Sequence, residues 1–182
     1  EISEENLYKI DEELLQINTD KIKIVPILGS SCNLKLVSKT IKDNNIDIIF
    51  HAAAYKHVPI VELNPIEGIK NNIFSTFAVC EASAKNHIEK LILISTDKSV
   101  RPTNIMGASK RVAELIVQAY AEKESTKLKE DCNHKKTLFS MKTTRSFPTR
   151  EFAYSKQEHS FLSEKTIRSW RTAQTALATA TP

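Results

Sequence analysis

Apolar residues recur at two different spacings along the first two thirds of the chain, and the exchange between them predicts alternating helices and strands. From Glu1 to Ile17, Leu7, Ile10, Leu14 and Ile17 fall at steps of three and four with charged residues between, the period of an amphipathic helix. Ser3 followed by Glu4 and Glu5 suits its start, where a hydroxyl can cap and acidic groups meet the positive end of the helix dipole. Lys21 to Leu28 predicts a strand, with Ile22 and Ile24 alternating with lysines and Pro26 near its end, since proline brings no ladder donor. After the Gly29-Ser30-Ser31 turn, Leu34, Val37 and Ile41 line a shorter helix over Asn33 to Asn45. Ile46 to Ala54 predicts a strand whose Ile48-Ile49-Phe50 core is apolar on both faces. Pro65 opens a long helix with Ile66, Ile69, Ile73, Phe77, Cys80 and Ala84 as its stripe. Leu91 to Ile94 predicts another strand, and beyond Gly107 a stripe of Val112, Leu115, Ile116, Ala119 and Tyr120 predicts another helix.

The order helix, strand, helix, strand, helix, strand, helix predicts an α/β fold. It is an incomplete Rossmann-like, doubly wound parallel sheet, with right-handed crossovers placing helices on both faces. We read residues 1–131 as this domain. Residues 132–182 read as a basic, low-complexity tail, irregular or disordered, in which Thr137 to Met141 could add one more strand and Thr172 to Pro182 is Ala/Thr-rich.

Composition changes the picture in two places. The 182 residues carry a net charge of +4, but residues 133–182 hold nine Lys/Arg against three Asp/Glu, and the remainder 17 against 19. The basic character therefore belongs to the tail and does not argue for a nucleic-acid surface on the folded part. Only three glycines are present, and no G-x-G-x-x-G occurs. No apolar run is long enough to span a membrane and no signal peptide is visible. Cys32, Cys80 and Cys132 fit no metal spacing, and a reduced, cytoplasmic setting is the simpler reading.

Candidate chemistry concentrates in Leu91 to Arg111, LILISTDKSVRPTNIMGASKR. A buried strand that ends in small and charged residues, followed by a loop and a helix, places side chains at the carboxyl end of a parallel sheet, where open α/β folds bind ligands. Thr96, Asp97 and Lys98 set a hydroxyl, a carboxylate and an amine side by side; the plain alternative is a solvated loop pair. Met106 and Lys110 lie four apart on one helix face, the spacing of the Tyr-x-x-x-Lys pair of short-chain dehydrogenases with Met in the Tyr position; alternatively they are an ordinary helix start. His57 reads as a surface loop histidine, and no metal site is expected. Asn72, in the long helix, reads either as solvent-facing or as a bond from helix to loop.

Four segments resemble one family closely: His51–Pro59 (HAAAYKHVP), Glu62–Asn72 (ELNPIEGIKNN), Leu91–Arg111 and Ala113–Tyr120 (AELIVQAY). They are similar to the CapD-type polysaccharide biosynthesis proteins, nucleotide-sugar 4,6-dehydratases of the extended short-chain dehydrogenase superfamily. The similarity is strongest to the UDP-N-acetylglucosamine 4,6-dehydratases that keep the C5 configuration and carry Met in place of Tyr. The resemblance covers roughly Glu1 to Glu122. It implies tightly held NAD rather than NADP, a UDP-sugar substrate, no nucleic-acid partner, a homo-oligomeric parent enzyme, and a cytoplasmic reaction tethered to the membrane only through a segment absent here. It also implies roles. Asp97 protonates the leaving C6 hydroxyl, Lys98 takes the C5 proton, Thr96 holds the C4 oxygen, and Lys110 holds the nicotinamide ribose. Met106 leaves the usual Tyr role to Asp97 or Thr96. Ala52, Ala53, Tyr55 and Asn72 accompany the cofactor, and Glu1 stands near the acidic residue that binds the adenosine ribose.

The chain departs from the family in lacking the Gly-rich turn, in Ser30 where an Asp is usual near the adenine, and in having nothing like the sugar-nucleotide domain after Met141. It reads as a fragment that begins just after the second strand. A nucleotide-sugar epimerase or reductase of the same superfamily remains a second reading, and a non-catalytic binding fragment a third. Lacking the backbone amides that cradle a pyrophosphate, the 182-residue chain alone is expected to leave UDP-N-acetylglucosamine and added NAD unchanged; product formation in a chromatographic assay would contradict this.

Overall fold

The computed structural model describes residues 1–19, 22–130 and 137–143, with backbone only at 127–130 and 142–143. By its internal contacts the chain divides between Gly29 and Ser30.

In the first unit, helix α1 spans Glu4–Ile17 and is capped by Ser3, whose hydroxyl accepts from the Asn6 amide at 3.3 Å. Leu7, Ile10 and Leu14 are half-buried, and Ile17 is exposed. Residues 22–28 carry no strand, contrary to the alternating pattern. Their polar groups are met singly instead: the Asn18 side chain bonds both N and O of Ile22, and Glu1 brackets Leu28 by donating to Ile27 O and accepting from Gly29 N. The last pair has the form of one rung of a parallel ladder, and Pro26 supplies no donor to extend it.

The second unit is a parallel three-stranded sheet in the order β1 (Ile48–His51), β2 (Lys90–Ser95), β3 (Leu138–Thr143). Between the strands run α2 (Leu34–Asp43, before β1), α3 (Val58–Leu63), α4 (Pro65–Ile69), a π-helical turn (Lys70–Phe74), α5 (Ser75–Lys85) and α6 (Ile105–Glu130). Asn33 caps α2 by accepting from Leu36 N. Strand follows strand in one direction, so right-handed crossovers bring α5 and α6 to the same face. On that face Leu91 and Leu93 of β2 meet Val79, Cys80, Ala82, Ala113, Val117 and Phe139, with Ile41 of α2 closing the side. Tyr120 packs on Phe139 at 5.7 Å between ring centres and donates its hydroxyl to Glu81. On the opposite face Ile48 and Phe50 stay 39% and 40% exposed. These parallel strands alternating with helices are the Rossmann-like α/β arrangement that the alternation of periods predicts, but among the described residues α5 and α6 share one face, where the pattern places helices on both.

Three details differ from the pattern. The first strand stops at His51 because Asn72 bonds both backbone groups of Tyr55 and draws the chain away from the sheet. The long helix from Pro65 is broken in phase by the π turn, so Ile66, Ile69 and Phe77 of the apolar stripe face outward, and Asn72, Thr76, Val79, Cys80 and Ser83 turn inward. In α6 the stripe is displaced by about one residue: Val112, Leu115 and Ala119 are exposed, while Met106, Lys110, Ala113, Glu114, Val117 and Tyr120 are buried. The third strand is present and extends the sheet past residue 131. The reading of the remaining tail, 144–182, lies outside the described residues. Among the described residues no helix is long and apolar enough to cross a membrane.

Burial of Leu93 (1% exposed) at the centre of this core sets a stability test. Leu93→Ala is expected to cost about 2–5 kcal/mol in urea unfolding, and Phe50→Ser, at a side chain 40% exposed, a fraction of that; equal losses would contradict the placing of Leu93 in the core.

Candidate functional site

The carboxyl end of β2 runs into a tight 3-10 turn, Asp97–Ser99. Thr96 starts it: its hydroxyl accepts from Lys98 N at 3.4 Å and donates to Asp97 Oδ1 at 3.1 Å. Thr96 and Asp97 are half-buried and Lys98 is exposed, so the trio lies on the rim of the sheet with an open side. Helix α6 begins against this turn. Asn104 caps it through Gly107 N at 2.7 Å, and Glu62 of α3 accepts from Ile105 N at 2.5 Å. Gly107 sits so close to the turn that a Cβ there would lie 2.4 Å from the Lys98 carbonyl oxygen. No side chain larger than hydrogen fits without moving one of the two elements.

That approach delivers Lys110 to the strand end. Its Nζ donates to Ile94 O at 3.4 Å, and the residue is 8% exposed. Loss of water around the ammonium pulls its pKa down to about 8, against the opposing pull of the Glu114 carboxylate. Met106, one turn earlier, is 2% exposed on the same helix face. A thioether carries no exchangeable proton, so this buried position offers packing and no acid or base.

The structure places Asn72 as a brace. Its Oδ1 accepts from Tyr55 N at 2.7 Å, and its Nδ2 donates to Tyr55 O and to Ser109 Oγ on α6. Of the two readings left open for this residue, the bond from helix to loop is the one formed. The extra residue of the π turn puts the Asn72 amide in position and exposes its own carbonyl, which Thr76 Oγ1 fills at 2.9 Å. Because Thr76 spends its proton there, it must accept from His51 Nε2 at 3.1 Å, which makes that nitrogen the protonated one of a neutral ring. Burial, and then the nearby Lys110 charge, push the His51 pKa down to about 4. Ala52 and Ala53 follow β1 with small, exposed side chains, and Tyr55 is 46% exposed. Glu1 lies in the first unit, its carboxylate accepting from Ile2 N and Ser3 N.

The structure thus gathers Thr96, Asp97, Lys98, Met106 and Lys110 around the end of β2, with Asn72 and Tyr55 braced beside them. His51, Thr76, Ser95, Ser99, Ser109 and Glu114 belong to the same polar cluster and were not singled out in the sequence. Their signal was available in principle: Thr76 lies four after Asn72, and Glu114 four after Lys110. The small exposed side chains after β1 leave the backbone open to a flat ligand, which fits a nicotinamide dinucleotide at this strand end. Among the described residues no group of His, Cys, Asp or Glu is placed to hold a metal ion.

A family model described as polysaccharide biosynthesis protein matches residues 1–141. A Staphylococcus aureus protein named capsular polysaccharide biosynthesis protein CapD is 38% identical over 122 residues, which are 67% of this chain and 20% of that protein. The UDP-glucose 4-epimerase of Rickettsia canadensis is 35% identical over 128 residues, 69% of this chain and 37% of the epimerase. The X-ray structure of Pen from Bacillus thuringiensis superposes with a TM-score of 0.66 at 30% identity, covering 78% of this chain and 39% of Pen. The chain therefore spans between one fifth and two fifths of these proteins.

The neutral His51 sets a pH test. Unfolded, the ring takes a proton below about 6.5; folded, it does so only near 4, so the unfolded state gains protons first and stability falls as pH drops from 6.5 to 4. The His51 share of this loss is roughly 3 kcal/mol. His51→Gln is expected to flatten the fall in urea-unfolding free energy across that window; an unchanged slope would contradict the assignment.

Proposed function

The chain belongs to the polysaccharide biosynthesis protein family, and on that premise we propose that it is part of an NAD-dependent nucleotide-sugar 4,6-dehydratase acting on UDP-N-acetylglucosamine in surface-glycan synthesis. The product is the 4-keto-6-deoxy sugar nucleotide. The observation that carries this reading is the Thr96-Asp97-Lys98 turn, with its open side, next to a buried lysine at the end of β2.

Elimination of water across C5 and C6 needs a proton donor at the departing C6 oxygen and a base for the C5 hydrogen. Asp97 is the donor and Lys98 the base; they are adjacent on one turn and so can serve the two neighbouring carbons of one sugar ring. Thr96 hydrogen-bonds the C4 oxygen. NAD, when bound, supplies the acceptor for the C4 hydride and its return to C6. Lys110, whose pKa of about 8 leaves it cationic at neutral pH, adds positive charge near the C4 oxygen and holds the nicotinamide ribose. Ala52, Ala53 and Tyr55 border the cofactor, and Asn72 fixes the Tyr55 backbone. Met106 takes no proton, so deprotonation at C4 falls to Asp97 or Thr96.

The similarity to the Rickettsia epimerase favours a second reading, a nucleotide-sugar 4-epimerase. Epimerisation expels no water and gives the Asp97-Lys98 pair no task, which is why we place it second. Mass spectrometry separates the two. UDP-N-acetylglucosamine is incubated with NAD and the longest gene product that contains this segment. The expected product has lost the mass of one water, and Asp97→Asn is expected to slow its formation by about a hundredfold or more. A product of unchanged mass and altered C4 configuration would establish the epimerase; no product at all would sink both.

A further inference from the structure

Glu114 is a carboxylate buried inside the second unit, 7% exposed, one helical turn beyond Lys110 on α6. Its Oε1 accepts from Ser95 Oγ and from Ser99 Oγ, both at 2.5 Å, and its Oε2 accepts from Arg111 at 2.9 Å. Ser95 is the last residue of β2, and Ser99 the last of the 3-10 turn. One side chain thus grips both ends of the Thr96-Asp97-Lys98 segment. Both serines are buried, at 2% and 1% exposed. A carboxylate is bound here for a physical reason: ionised, it only accepts, and three donors converge on it. An amide of the same size would turn its own N–H groups towards a donor.

We infer that Glu114 is a positioning residue, which locks the Thr96–Lys98 turn to α6 through Ser95 and Ser99 and supplies the negative charge facing Lys110. Its use in catalysis rests on the dehydratase reading above; the lock itself does not. The Ser99 hydroxyl has one proton and two acceptors in reach, Glu114 Oε1 and Thr96 O at 2.7 Å. Donated to Glu114 it ties the turn to the helix; donated to Thr96 it closes the turn on itself. The Ser95 bond is the contact that keeps Glu114 in place in either case. The ionisable groups that interact with Lys110 are Glu114 on its own helix and His51 at the end of β1, while Arg111 follows it on the helix and Asp97 and Lys98 sit on the turn against which that helix packs. Of these, Glu114 is the anion that opposes the loss of charge at Lys110.

The test uses the full 182-residue chain with no substrate or cofactor, so it stands or falls independently of the reaction. Lysine side chains labelled with carbon-13 report the Lys110 titration by NMR, assigned with Lys110→Arg. Wild type is expected to titrate near 8, and Glu114→Gln to titrate lower by about half a unit or more. In the same variant, hydrogen exchange at the Ser99 and Val100 amides, which donate to Thr96 O and Asp97 O, is expected to speed up about tenfold or more. If either readout stays where it is in the folded variant, the inference fails. Should Glu114→Gln not fold, Ser95→Ala replaces it: it removes one bond to the carboxylate and keeps the charge. Faster exchange at the turn with an unmoved Lys110 titration would support the lock, and unchanged exchange would overturn it.

Discussion

The second unit depends on how closely a helix can approach the end of a strand. Position 107 has no side chain, and a single Cβ there would strike the Lys98 carbonyl. With that atom absent, α6 starts directly on the turn that ends β2, and its first three turns can reach the strand end. Lys110 then touches Ile94 O, Glu114 reaches Ser95 and Ser99, and Ser109 meets Asn72. Further along, Val117 and Tyr120 seal the core over Leu91 and Phe139. One close contact thus serves both the packing of the sheet and the placing of the polar cluster.

The cluster concentrates buried polar side chains in one place. His51, Asn72, Thr76, Ser95, Ser99, Ser109, Lys110 and Glu114 are all under 9% exposed. Each can stay inside because its polar atoms are paired within the cluster, which removes most of the cost of lost water. The lysine is the exception in kind: a charge held by one long bond to a carbonyl and by a carboxylate one turn away. Its environment therefore shifts its proton affinity towards neutrality, a property that reactive centres share with some purely structural ion clusters.

Much of the fold could be read from the apolar pattern, because strands buried on both faces and helices with one wet face leave different periods. Leu91–Ile94 and the helices on either side of β2 follow this rule. The same rule failed for the faces of α5 and α6, and for one reason. Where a helix turns polar residues inward, its buried stripe includes Asn72, Thr76, Lys110 and Glu114, and hydrophobicity then marks the wrong side: Phe77, Val112 and Leu115 looked like core and are exposed. The strand expected over residues 22–28 failed differently, because a ladder needs a neighbour and periodicity does not report one. The Thr96-Asp97-Lys98 trio and the Met106–Lys110 pair were legible as local spacings. Glu114 and Thr76 left only a spacing of four from Lys110 and Asn72, and His51 left none; what each does comes from the groups that folding brings beside it.

The π turn at Lys70–Phe74 has a bearing on how such a protein could change over time. A helix that holds one residue too many is a poorer helix, and a one-residue deletion anywhere in that turn would restore a regular one. Yet the deletion would rotate everything on one side of it by about 100°, taking the Asn72 amide from Tyr55 or Val79 and Cys80 from the core. A substitution in this stretch changes one side chain, whereas an insertion or deletion changes the face of every residue beyond it. The irregularity thus works as a frame marker in the folded molecule, protecting its own length.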